Sequence, residues 1–209
     1  MSVSSARTSS SPTVEQLPSW TFDPHRTEAG FRAHRMGAPW VNGRFTDVHG
    51  KFYFDLEEPL SSSCVGEIDV ANLHAGEPYL NTELRAADFL GETGPRSITF
   101  AARLAGRTSE TDFKADVLLT IRGETRHVMM NVAYLGQWEA PLWSDGQKMG
   151  SATRVGLRAE GLIRRQDFEV VTSIDRARRD RANANALEVS LDIEAVLDAD
   201  LKAIGAIEF

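Results

Sequence analysis

Residues 187–194 read Leu-Glu-Val-Ser-Leu-Asp-Ile-Glu, an apolar and polar alternation that holds for eight positions. Successive side chains of a β-strand point to opposite faces of its sheet, so this stretch predicts a strand with one buried and one solvated face. An amphipathic helix would also need apolar residues three positions apart, and the stretch contains no such pair. We therefore expect an antiparallel sheet that buries one of its faces.

The same period of two recurs along most of the chain and predicts about eight or nine strands. An open sheet of that size would leave two free edges and an uncovered apolar face, so a sandwich or a closed barrel is expected. Arg122–Thr125 carries a glycine between two such stretches and predicts a hairpin turn. The apolar positions that alternate are Phe52 and Phe54, Ile68 and Val70, Ile98 to Ala102, Phe113 to Ile121, Val128 to Tyr134, and Val155 to Ile163.

Helical spacing is confined to two short segments. Residues 78–90 predict a short helix or helical loop, and residues 196–204 predict a weak amphipathic helix.

The Ser-rich and Thr-rich start predicts a disordered leader over 1–18, followed by one barrel domain over 19–196 and a tail over 197–209. The charged run at 175–181 is typical of a solvated loop.

Composition excludes several classes of partner and site. The 209 residues carry a net charge of −7, which argues against a nucleic-acid partner. Cys64 is the single cysteine, so an internal disulfide is excluded. The leader lacks the apolar core of a signal peptide, and no stretch reaches the roughly 20 apolar residues of a spanning helix. We therefore expect a cytoplasmic protein without stable membrane insertion.

Five segments together resemble the YceI-like family of polyisoprenoid-binding, lipocalin-like proteins. The resemblance implies an eight-stranded antiparallel barrel around an apolar tunnel that holds a long-chain isoprenoid or similar amphiphile, often in a homodimer. The chain departs from the family at Leu80, Asn81 and Glu83, where relatives commonly have Arg, Asp and His, so the resemblance leaves the head group open. The matching segments are WTFDPHRTEAGFRAHRM (20–36), VNGRFTDVHGKFYFD (41–55), LRAADFLGETGPRSITF (84–100), VLLTIRGETRHVMMNV (117–132) and GLIRRQDF (161–168).

The inward-facing apolar residues and two histidines form the expected ligand site. We assign no catalytic residue, no metal ligand and no cofactor, and expect instead a bound polyisoprenoid, quinone or fatty-acid-like lipid. The expected ligand-binding residues are Phe22, His25, Phe31, His34, Phe52, Phe54, Ile68, Leu84, Phe89, Phe100, Val117, Leu119, Val128, Met130, Val132 and Leu157.

Other functions stay open at this point. Asp23 and His25, two residues apart on a shared strand face, and His34 could serve an enzyme acting at the barrel mouth, although a metal site needs three or four converging ligands. The apolar stripes could also fill a solid barrel with no ligand, in which Cys64 is a small core residue. Trp138 and Trp143 lie in a predicted loop that carries Gly and Pro, and they fit a lid, a pocket mouth, a dimer contact or ordinary loop packing. A transmembrane barrel would need its apolar band on the outside.

Overall fold

The computed structural model describes residues 17–33, 40–76, 97–144, 147–170 and 186–205. Within them the chain forms eleven strands and one short α-helix, with 3₁₀ turns at Pro59–Ser61, Val70–Asn72 and Arg165–Phe168. The strands are β1 (Ser19–Phe22), β2 (Glu28–Ala33), β3 (Val41–Phe45), β4 (Val48–Tyr53), β5 (Ser63–Asp69), β6 (Leu73–His74), β7 (Ser97–Arg107), β8 (Asp112–Ile121), β9 (Glu124–Ser144), β10 (Gln147–Arg164) and β11 (Ala186–Leu197); the helix is α1 (Asp198–Ala203).

The sheet closes into an eight-stranded antiparallel barrel. The ring runs in the order β1, β4, β5, β7, β8, β9, β10 and β11, and β1 closes it against β11 through the pairs Trp20 with Leu197 and Phe22 with Ala195. The first three barrel strands are interrupted, so β1 with β2, β3 with β4, and β5 with β6 each make one strand of the ring. Closure removes the free edges of an open sheet, and the all-β barrel expected from the sequence is confirmed.

The hairpin between β8 and β9 has the two-residue turn Arg122–Gly123. Both residues have positive φ, 55° and 85°, and Ile121 pairs with Glu124 across the turn. A two-residue turn in the left-handed region matches the twist of the flanking strands, and the glycine adopts it without a Cβ penalty. The hairpin predicted at this position is confirmed.

The hairpin of β9 and β10 extends past the rest of the barrel, and α1 packs against it. β9 pairs with β8 only as far as Ala133, and β10 pairs with β11 only from Arg154 onward. Leu201 of α1 packs against Leu142, Ala152 and Val196 on the outer face of the wall. The tail begins with a helix that is part of the folded body.

Polar contacts hold α1 in place beside the first strand. The Asp198 carboxylate accepts hydrogen bonds from the hydroxyls of Ser19 and Thr21, both at 2.6 Å. Asp200 accepts from the Thr153 backbone N–H at 2.7 Å. The leader, the helix predicted at 78–90 and the charged run at 175–181 lie outside the described residues, apart from Leu17 and Pro18.

Candidate functional site

The barrel is hollow. A cavity of about 190 Å³ runs from Phe54 and Ser62, beside the β4–β5 connection, to Phe168 and Val170, which follow β10. A cavity needs only roughly 10–15 Å³ to admit one water, so this space is far larger than a packing defect. Side chains do not fill the interior, and the solid-barrel alternative is therefore wrong.

The cavity surface is almost entirely apolar. Its walls are aliphatic and aromatic side chains that alternate along the strands with the residues of the outer face. Several inward residues, among them Ala102, Met130 and Val132, are only partly buried although they face the interior. Their accessible surface therefore opens onto the cavity, where burying a hydrocarbon chain is favourable by about 0.8 kcal/mol per CH₂.

Glycines in the wall explain why the aromatic rings leave this space open. A β-carbon on Gly43 would lie 2.2 Å from the ring of Phe31, and one on Gly66 would lie 2.3 Å from the ring of Phe100. Each ring belongs to the residue paired with the glycine on the neighbouring strand. The two rings therefore lie flat against the wall, in space that any other residue would occupy.

Ten of the expected ligand residues border the cavity. Phe22 and Val128 are buried in the core and do not border it. His25 is exposed and is not among the lining residues. His34, Leu84 and Phe89 lie outside the described residues. The ten that border the cavity are Phe31, Phe52, Phe54, Ile68, Phe100, Val117, Leu119, Met130, Val132 and Leu157.

Further lining residues were absent from the expected site. The inner face of β11 was already marked by its alternation, and Phe45 shares the inner face of β3 with Gly43. Phe168 and Val170 follow β10 in a 3₁₀ turn, where no periodic pattern marks them. The additional large apolar residues are Phe45, Ile98, Leu104, Ile121, Ile163, Phe168, Val170, Leu187, Val189, Leu191 and Ile193.

Cys64 borders the cavity from the inner face of β5. Burial raises the pKa of its thiol to about 12, because the thiolate would be desolvated there. The thiol is therefore neutral near pH 7, and a neutral thiol is a poor nucleophile. Cys64 contributes a small apolar side chain to the wall.

Asp23 lies on the outer wall, and the expectation that it shares a strand face with His25 is wrong. β1 ends at Phe22, and the chain turns through Asp23–Arg26. The carboxylate of Asp23 accepts from the His25 backbone N–H at 3.0 Å, which leaves the imidazole exposed. A short polar residue that bonds the backbone two positions on favours a turn over a continuous strand.

A buried ionic cluster holds this turn against the wall. The Arg154 guanidinium donates to Asp23 at 2.7 Å and to Glu194 at 2.5 Å, with Arg26 at 3.4 Å from Glu194. The side chains of Arg154 and Asp23 are 4% and 6% exposed. We call Asp23, Arg26, Arg154 and Glu194 the ionic cluster. Asp23 is engaged there, on the opposite side of the wall from the cavity, so it is not placed to act on a ligand inside.

Other titratable groups pair on the outer surface. His49 lies 2.6 Å from Asp47, and His127 lies 2.9 Å from Asp116.

Across the described ranges, no three His, Cys, Asp or Glu side chains converge as a metal site would require. The part of the chain that the structure describes also has no helix long and apolar enough to cross a bilayer.

Comparison with known proteins agrees with this architecture. The sequence pattern of the YceI-like domain matches residues 20–197. Protein YceI of Shigella flexneri is 30% identical over 145 residues, covering 69% of this chain and 71% of that protein.

Two solved structures share the fold at low sequence identity. BcnA of Burkholderia cenocepacia superposes with a TM-score of 0.66 at 18% identity, covering 83% of this chain and 98% of that one. A polyisoprenoid binding domain from Saccharophagus degradans superposes with a TM-score of 0.59 at 12% identity, covering 85% of this chain and 98% of that one. From its first barrel strand to its last, the chain belongs to the YceI-like family.

Proposed function

We propose that the protein binds a long-chain isoprenoid or similar amphiphilic lipid inside the barrel and carries or sequesters it without chemical change. The observation that supports this function is the hollow, apolar interior. The Saccharophagus degradans relative of the same fold is described as polyisoprenoid binding. Two of the three groups considered for catalysis lie away from the cavity: Asp23 is held in the ionic cluster, and His25 is exposed on the outer turn. The third, His34, is outside the described residues.

Chain length should govern affinity. About ten buried methylene groups contribute roughly 8 kcal/mol. Association costs an estimated 4–15 kcal/mol in lost freedom of motion. Short chains would thus bind weakly, and each further buried carbon would strengthen binding until the cavity is full.

Native mass spectrometry of protein exposed to polyprenols, quinones and fatty acids tests this function. A matched pair of variants locates the site, because Ala102 faces the cavity, whereas Ala105 is exposed on β7 and does not line the cavity. Ala102→Phe should reduce lipid occupancy at least tenfold, whereas Ala105→Phe should leave it unchanged. The proposal would be contradicted if the wild-type protein retained none of these lipids, or if the two variants lost lipid occupancy equally.

We also propose that two copies associate through the outer wall. Four large apolar side chains are 42–66% exposed on the outer face of neighbouring strands. They are Val65 on β5, Leu118 on β8, Met129 on β9 and Leu162 on β10, and β7 lies between β5 and β8 in the ring. Light scattering on Leu118→Asp should show monomers where the wild type shows dimers, and a monomeric wild type would contradict the proposed association.

The cytoplasmic location stays a prediction, tested by fractionating cells that express the tagged protein.

A further inference from the structure

Ser62 places an unpartnered hydroxyl at one end of the apolar cavity. The residue is 7% exposed, and its Oγ has no hydrogen-bond partner among the described residues. Buried side-chain hydroxyls are nearly always paired, since an unpaired one loses its hydration without compensation. Because Ser62 borders the cavity, a ligand inside can supply the missing partner.

The local fold holds Ser62 in position. It ends the 3₁₀ turn Pro59–Ser61, and its backbone N–H donates to the Pro59 carbonyl at 3.1 Å. The next residue begins β5, which pairs with β4 and β7 on its two sides. Backbone hydrogen bonds on both sides of Ser62 therefore hold its main chain in place before any ligand arrives, which reduces the entropic cost of binding.

The surroundings of Ser62 favour an uncharged partner. Phe54, Cys64 and Leu104 border the cavity at this end, and burial raises the pKa of the Cys64 thiol to about 12. An environment that disfavours a thiolate disfavours other anions. Arg103 also borders this end, but it is exposed and alternates with the inward residues Ala102 and Leu104.

We infer that the Ser62 end of the cavity receives the polar head of the ligand, and that this head is an uncharged oxygen group, a hydroxyl or carbonyl, in place of a phosphate or carboxylate. The inference rests on the proposed lipid-binding function and narrows its ligand class to long-chain alcohols and quinones. A serine hydroxyl both donates and accepts, so it can pair with either group. An anionic head would instead be drawn to the opposite end of the cavity, which Arg165 borders.

The test compares three probes of one carbon skeleton: a polyprenol, the matching polyprenyl phosphate and the matching hydrocarbon. Their dissociation constants are measured for the wild type, for Ser62→Ala and for Ser61→Ala. Ser61 belongs to the same turn and does not border the cavity, so it serves as the matched control. The melting temperature of each ligand-free variant is measured in parallel.

We expect Ser62→Ala to weaken polyprenol binding about threefold to tenfold, the range of one neutral hydrogen bond. Its hydrocarbon affinity should match the wild type, and its ligand-free melting temperature should be unchanged or higher because an unpaired hydroxyl is removed. Ser61→Ala should change none of these values. The wild type should bind the alcohol more tightly than the phosphate.

Four results would overturn the inference while leaving lipid binding intact. The first is that Ser62→Ala binds the polyprenol as tightly as the wild type does, and the second is that Ser62→Ala loses as much affinity for the hydrocarbon as for the polyprenol. The third is that ligand-free Ser62→Ala melts at a lower temperature than the wild type. The fourth is that the wild type binds the phosphate more tightly than the polyprenol. If Arg165→Gln then removed the preference for the phosphate, the head would lie at the opposite end. Failure of all three probes to bind the wild type would instead contradict the proposed function itself.

Discussion

The ionic cluster and the cavity lie on opposite faces of the same barrel wall, and they differ in whether their buried polar side chains have partners. In the cluster, Arg154 on β10 bridges the carboxylates of Glu194 on β11 and of Asp23, which lies in the turn where the first barrel strand is broken. In the cavity, Ser62 presents a hydroxyl with no partner among the described residues. The paired charges join distant parts of the chain, and the hydroxyl that lacks a partner is where we propose that the head of the ligand binds.

The largest expected effect comes from breaking the ionic cluster. Arg154→Ala removes the buried cation and leaves the two carboxylates only the longer contacts to the exposed Arg26, at 3.4 Å and 3.9 Å, so we expect the free energy of unfolding to fall by about 3–5 kcal/mol. Denaturant titration measures the change. Arg158→Ala is the matched control four residues along β10, since its partner Asp192 is exposed and such pairs contribute about 0–1 kcal/mol. Similar losses in the two variants would show that burial of the cluster does not matter.

A methyl group on the cavity wall should have a smaller effect. Gly66→Ala places its β-carbon 2.3 Å from the Phe100 ring and 2.9 Å from the His49 backbone carbonyl oxygen, so the ring must swing into the cavity and the neighbouring strand must shift. We expect a loss of about 1–3 kcal/mol in unfolding free energy, as for other overpacked cores, together with reduced lipid occupancy. Gly106→Ala on β7 is the control, because nothing lies within 4 Å of its added carbon. Unchanged occupancy in Gly66→Ala would contradict the role given to the glycines.

The thiol of Cys64 should report the cavity through its pH dependence. Because its folded pKa is about 12 against an ordinary value of 9.0, its contribution to stability is complete below pH 9 and declines between pH 9 and about 12. Cys64→Ala should lose that alkaline decline. At pH 8 a thiol reagent should label the folded protein at least tenfold more slowly than the unfolded chain, and a bound lipid should slow it further. Equal rates for folded and unfolded protein would contradict a buried thiol.

The smallest effect is expected at the exposed histidine of the first turn. His25→Ala removes a side chain that lies in solvent, while the backbone N–H bonded to Asp23 remains. Unfolding free energy should change by less than about 0.5 kcal/mol, and lipid occupancy should match the wild type. Loss of occupancy in this variant would place His25 at the ligand and contradict the location derived from the structure.

Alternation predicts the strands and their faces because it is a local property of the backbone. It placed Leu187, Leu191 and Ile193 on one dry face, and these residues border the cavity. The same alternation also marks the break in the first barrel strand. The inward residues there shift from even positions, Trp20 and Phe22, to odd positions, Ala29 and Phe31.

Contacts between distant residues could not be predicted in the same way. Alternation places Arg154 on the outer face, yet its burial depends on Asp23, which lies 131 positions away. The packing of Phe100 over Gly66 likewise depends on the register of β5 against β7. One sequence contains no signal for either, because both arise only when the barrel closes.

The most direct test is the anomalous diffraction of crystals grown with a long-chain alcohol that carries bromine at the end of its tail. The central claim is that the ligand chain lies inside the barrel. It predicts a bromine peak within the cavity, in contact with inward side chains such as Met130, Val132 and Leu157. Bromine peaks found only on the outer wall, beside Leu118 and Leu162, with an empty interior, would contradict it.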